Sequence, residues 1–181
     1  MKKTIMVLCL TLLTFFANIA YADYFADAGK VTLSISGNKK IMQKLDGDVF
    51  ALTPTGQKEY GYPVCNIKVT NKQKKVAVDW TRPVYMGVNI RKIKSNSSRI
   101  YYSITDEGGG AIYVYDTATD NSMRVINSFG DILPNKDGYD LQIRNNGTLV
   151  LMGTTMGKGV TSEYAELFWD EKANWMGYRR L

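Results

Sequence analysis

The sequence predicts an all-β fold: an antiparallel meander forming a sandwich or propeller-blade-like sheets, with at most one or two short helices near the mature N-terminus. Three observations carry this. Beyond residue 60 apolar side chains recur with period two, as where Tyr139, Leu141 and Ile143 alternate with Asp140, Gln142 and Arg144. Turn residues punctuate the chain at short intervals, most clearly at Asn145-Asn146-Gly147, where Asn and Gly tolerate positive φ. No segment sustains a helical period long enough for a bundle.

In chain order, residues 23–29 and 39–45 each read as a turn or two of helix, the second because Ile41, Met42 and Leu45 fall on one helical face. Strands are expected at 31–36, 49–53, 76–80 and 84–94, with a strand-period stretch around Cys65. Residues 99–105 and 111–116 form a hairpin about the Gly-rich turn Asp106-Glu107-Gly108-Gly109-Gly110. Residues 122–127 follow. A second hairpin joins 139–143 to Leu149-Val150-Leu151-Met152, which is apolar on both faces and reads as a central strand. Segments 163–169 and 175–180 complete the set. Ile112-Tyr113-Val114-Tyr115-Asp116 resembles Glu166-Leu167-Phe168-Trp169-Asp170, each an aromatic-Asp strand end before a turn, a blade-like repetition.

The first 22 residues read as a cleaved secretory signal. Lys2 and Lys3 precede an apolar run that ends at Ala20-Tyr21-Ala22, a small-x-small cleavage pattern. The run is short for a membrane span and is broken by Thr11, Thr14 and Asn18, so no transmembrane segment is expected after cleavage. Residues 23–181 then form a single β-rich domain. Cleavage removes two lysines and no acid, taking the net charge from +6 to +4. It also removes Cys9 and leaves Cys65, expected as a buried inert thiol rather than half of a disulfide.

The chain has no histidine. That excludes the Ser-His-Asp triad, the Cys-His pair, the HExxH metalloprotease and imidazole-ligated zinc or haem. The run from Gly153 to Gly159 misplaces its second Gly and lacks the Ser/Thr of a phosphate loop. Asn135 to Asp140 partly matches a calcium loop, but its twelfth position is Asn146 rather than Glu, so a turn before the Tyr139 strand is the better reading. No cofactor and no metal are expected. Carboxylate pairs stay open, because their spacing in space is not written in the sequence.

Basic residues cluster at Lys72, Lys74 and Lys75, then at Arg91, Lys92, Lys94 and Arg99, with tyrosines interleaved. In an exported chain this does not point to nucleic acid. It fits a protein partner in the envelope, with weak contact to anionic envelope components. If the Ile faces of the 99–105 and 111–116 strands line the core, Tyr101, Tyr113 and Tyr115 share the outer face, where either a partner or a second layer covers them. The candidate partner-binding residues are therefore Arg99, Tyr101, Tyr113 and Tyr115 around the first Gly-rich turn, with Lys158 on the second loop. The expected protein is periplasmic or secreted, binds without catalysis, and in general character is similar to small periplasmic inhibitor and immunity proteins. The alternatives are a carboxylate hydrolase acting on an envelope polymer and a structural envelope subunit.

Overall fold

The computed structural model describes residues 23–107, 109–155 and 161–181, and over these the chain is all-β and antiparallel. The signal segment lies outside the described residues. Among the described residues thirteen strands form three sheets. The strands β2 (Ile41–Leu45), β3 (Asp48–Glu59), β4 (Tyr62–Thr70) and β5 (Val76–Pro83) follow one another in a four-stranded meander. A second meander runs through β6 (Gly87–Ser95), β7 (Arg99–Asp106), β8 (Gly109–Asp116) and β9 (Asn121–Ile126), with β1 (Phe25–Ser34) added on the β6 edge. The third is β10 (Gly138–Ile143), β11 (Leu149–Thr155), β12 (Thr161–Asp170) and β13 (Trp175–Arg180).

The middle sheet is apolar on both faces, and that decides the architecture. Along β8 the side chains of Ile112 and Val114 point one way and those of Tyr113 and Tyr115 the other, and all four are buried. Leu33, Ile90, Tyr102 and Ile104 pack with Phe50, Leu52, Ile67 and Val69 of the first meander. Phe25, Ile93, Tyr101 and Val114 pack with Leu141, Leu151, Leu167 and Met176 of the third. Each of these burials contributes about 1.5–3 kcal/mol, so a sheet with two apolar faces is stable only with a cover on each. The result is a stack in which the β6–β9 sheet lies between the other two.

The repetition seen in the sequence has a local cause. Asp116 Oδ1 accepts the Ala118 N–H at 2.9 Å, and Asp170 Oδ1 accepts the Lys172 N–H at 2.9 Å, so each Asp caps the turn into the last strand of its meander. Asn71 does the same before β5, accepting from Gln73 and Lys75.

The short helix is not where the sequence placed it. Residues 23–29 run into β1, and 41–45 form β2, because Asp46 and Gly47 both take positive φ (49° and 81°) and turn the chain back onto β3. The one helix among the described residues is α1 (Phe129–Ile132), capped by the Ser128 side chain accepting from the Gly130 N–H. It joins the middle sheet to the third and buries Phe129 and Ile132. No helix among the described residues is long and apolar enough to cross a membrane.

The core between the first meander and the middle sheet encloses two titratable features. Lys92 Nζ, almost fully enclosed, lies 2.7 Å from Asp48 Oδ2 and 3.0 Å from Asp46 Oδ2. Tyr102 O–H donates to Asp48 Oδ2 at 2.7 Å and the Lys72 N–H to Asp48 Oδ1 at 3.0 Å, so the enclosed carboxylate is satisfied. Cys65 is the second feature. Its side chain is inaccessible in the first core, and burial pushes its thiol pKa up. Native protein is therefore expected to react with a thiol reagent far more slowly than protein in denaturant. Equal rates in the two conditions would contradict this placement.

Candidate functional site

The residues picked from the sequence fall into two groups, and the β7–β8 register explains why. Arg99 pairs with Asp116 and Asp106 with Gly109, so Arg99 lies at the end of the hairpin opposite the Gly-rich turn. Tyr101 pairs with Val114, whereas Tyr102 pairs with Tyr113. Tyr101 therefore faces the third meander, and Tyr113 and Tyr115 face the first. The shared outer face expected for these three tyrosines does not exist, because the middle sheet has a layer on both sides.

All three side chains are buried. Tyr101 sits edge-on to Phe25 and Trp169, at ring-centroid distances of 5.3 and 6.2 Å. Its O–H donates to Asp23 Oδ2 at 3.0 Å, and burial pushes its pKa up. Tyr113 packs against Trp80 at 6.1 Å. Tyr115 donates to Asp120 Oδ1 at 2.6 Å, and Lys75 pairs with the other oxygen. Buried, hydrogen-bonded tyrosines hold layers together and offer a partner nothing. Lys158 lies outside the described residues.

Arg99 is the exception, because it builds a local cluster. Its Nη1 and Nη2 donate to Glu171 Oε1 and Oε2 at 2.8 and 2.7 Å, a two-pronged pairing. The guanidinium lies 4.3 Å from the Trp169 ring centroid, and Asp23 Oδ2 is 3.8 Å from Nη1. The two carboxyls shift in opposite directions. Arg99 holds Glu171 below its ordinary pKa, while burial raises Asp23. Beside this cluster a cleft of about 180 Å³ opens between the middle and third sheets.

The feature that sequence reasoning missed is a hairpin arm. Residues 55–62 at the tip of β3 and the start of β4 are exposed throughout, so the hairpin projects from the sheet. A register shift between Pro54 and Lys58 sets the arm off from the paired strands below. Tyr60 and Gly61, with φ of 52° and 84°, form the two-residue turn that closes the Glu59–Tyr62 pair. Tyr60 is 86% exposed. Beside the turn Tyr62 packs edge-on against Tyr85 at 5.1 Å, and Tyr85 and Met86 are themselves exposed. The arm stands at the Gly-rich-turn end of the middle sheet, where Arg82 of β5 pairs with Asp106 at 3.2 Å. The Arg99 cluster is at the other end.

Over the described residues the chain is an antiparallel all-β protein that carries an aromatic-tipped arm and, at the Arg99 end, a small cleft. Compared with protein-family models, curated proteins and solved structures, it matches none.

Proposed function

We propose that the protein is an exported, non-catalytic binding protein that blocks a protein partner in the envelope by presenting the β3–β4 arm. The observation that carries this is the exposed group of three tyrosines and a methionine at one end of the stack: Tyr60 on the tip, then Tyr62, Tyr85 and Met86 behind it. Tyrosine is favoured at interface centres because it buries a large area with few rotatable bonds and keeps a polar tip. A two-residue turn fixes the tip before binding, which lowers the ordering cost of docking. A narrow projecting hairpin also suits insertion into a concave surface such as an enzyme cleft. Export rests on the Met1–Ala22 segment and its cleavage pattern.

The test is quantitative capture of the envelope partner by wild-type protein and by Tyr60→Ala and Tyr85→Ala variants. A central aromatic removed from an interface costs at least about 2 kcal/mol, so affinity should fall by about thirtyfold or more with an unchanged melting temperature. Undiminished capture by both variants would remove the arm from the interface.

One observation favours a second reading, carboxylate hydrolysis. Asp23 and Glu171 flank Arg99 with pKa shifts of opposite sign, the pattern of an acid and a base. Neither lines the cleft beside them, and Glu171 is committed to Arg99 through both oxygens. Release of reducing ends from peptidoglycan by wild-type protein but not by Glu171→Gln would establish this reading in place of the first.

A further inference from the structure

Each of the three sheets has two edge strands, and an edge strand presents N–H and C=O groups with which another strand can pair. Most of these edges are covered from within the chain. β1 and β2 lie side by side, where Gln43 Nε2 donates to the Thr32 carbonyl at 2.8 Å. β5 and β9 do the same, with Ser122 Oγ donating to the Ala77 carbonyl at 2.6 Å. At β10 the Arg91 guanidinium donates to the Leu141 carbonyl, and the Leu141 N–H donates to Asp140 Oδ1 at 2.9 Å. The remaining edge is β13, and among the described residues nothing comparable covers it. Its two charged side chains are engaged within the chain: Arg179 Nη2 donates to Glu166 Oε2 and Arg180 Nε to the Ile132 carbonyl, each at 2.9 Å. The strand has no proline, lysine or bulge, the usual guards of an edge.

The backbone parity of β13 identifies the open groups. The Leu181 N–H donates to the Tyr164 carbonyl at 2.8 Å, and the β12–β13 register runs back from there without a shift. Both backbone groups of one residue point to the same side, and the side alternates along the strand. Trp175, Gly177 and Arg179 therefore bond to β12, while Met176, Tyr178 and Arg180 turn their N–H and C=O groups outward. A second β13 laid antiparallel with Tyr178 opposite Tyr178 pairs all three outward residues, because Met176 then falls opposite Arg180. Shifting the register by one residue either way leaves one of the three unpaired. The same register sets Trp175 opposite Leu181, two side chains that are 42% and 58% exposed on the outer face of the sheet. Gly177 falls opposite Arg179, where the missing side chain leaves room for the guanidinium. The edge thus matches its own sequence, with each contact repeated by a two-fold axis. A foreign peptide would meet the same backbone but no reciprocal side-chain match.

We infer that two copies of the chain join through β13 in the Tyr178-centred register, so that their four-stranded third sheets become one continuous sheet. The strand is six residues long, so the interface is small and the dimer depends on concentration. It is separate from the arm and does not rest on the partner proposed for it; a crosslinker at position 178 joins two copies of this chain and no other protein. The test follows sedimentation equilibrium of the purified protein over rising concentration, where the mass should climb from one chain toward two. Tyr178→Pro removes an outward N–H and leaves the β12 ladder whole, and Leu181→Lys puts a charge opposite Trp175. Each should weaken dimerisation by about tenfold or more with an unchanged circular dichroism spectrum, and Tyr60→Ala should leave it unaltered. In this register the two Tyr178 Cα atoms lie about 5.5 Å apart, within the disulfide range of about 4.4–6.8 Å. Tyr178→Cys should therefore form a disulfide-linked dimer under mild oxidation much faster than Lys172→Cys on the exposed turn, with the buried Cys65 silent. A mass that stays at one chain throughout, a dimer that survives both substitutions, or equal crosslinking at 178 and 172 would overturn the inference.

Discussion

Lys92→Met is expected to lower folding stability by about 3–5 kcal/mol, since removing one partner of a buried ion pair strands the other's charge. Lys92 and Asp48 are both enclosed, with side chains 2% and 1% exposed, and Asp48 would keep only the Tyr102 O–H and the Lys72 N–H. Against a total of about 5–15 kcal/mol for an ordinary domain, the loss is large enough to shift the urea midpoint plainly. Lys92→Met combined with Asp48→Asn should be less destabilised than the sum of the single changes, because the stranded charge has gone. Asp46 adds a pH signature. Lys94 and Lys92 hold its pKa down at about 2, so its contribution is present above the unfolded value near 4 and is lost as pH falls toward 2. Asp46→Asn should flatten stability across that window. An unchanged urea midpoint in Lys92→Met would show that the network contributes nothing.

Gly87→Ala is expected to cost about 1–3 kcal/mol, the usual range for over-packing. A Cβ there would lie 2.5 Å from the Leu33 carbonyl oxygen and 2.9 Å from Ser34 Cα, and both obstacles are backbone. Gly87 pairs with Ser34 at the end of the β1–β6 ladder, so relief requires the two strands to separate. Gly61 differs. It has φ of +84° but nothing within 4 Å of an added Cβ, so its substitution strains only the tip of the arm. Thermal unfolding should rank Gly87→Ala well below Gly61→Ala, and equal melting temperatures would contradict the close approach of β1 and β6.

Much of the fold was legible because period two survives in most strands. The segments read at 76–80, 99–105, 111–116, 139–143 and 175–180 lie on β5, β7, β8, β10 and β13. Segment 41–45 misled because Ile41, Met42 and Leu45 suit a helical face as well as they suit a short edge strand, and the Asp46-Gly47 turn decided between them. The tyrosines were harder. Alternation tells which residues of one strand share a face, but it does not give register, and a one-residue shift separates Tyr101 from Tyr113 and Tyr115. A sheet covered on both sides also leaves no wet face to mark the outside. The arm was invisible for the opposite reason. Residues 55–62 are exposed on all sides and carry no alternation to read. Arg99 was legible as a basic residue at a strand end, but its partner Glu171 is 72 positions away.

The most direct test of the binding account is site-specific photocrosslinking in the producing cell. A benzophenone side chain is placed at Tyr60 on the arm tip, at Tyr178 as an exposed control on β13, and at Tyr113 as a buried control. The account predicts one discrete heavier adduct from position 60, containing the protein and a single envelope partner, with no such adduct from 178 or 113. No adduct from position 60, or the same adduct from 178, would contradict it.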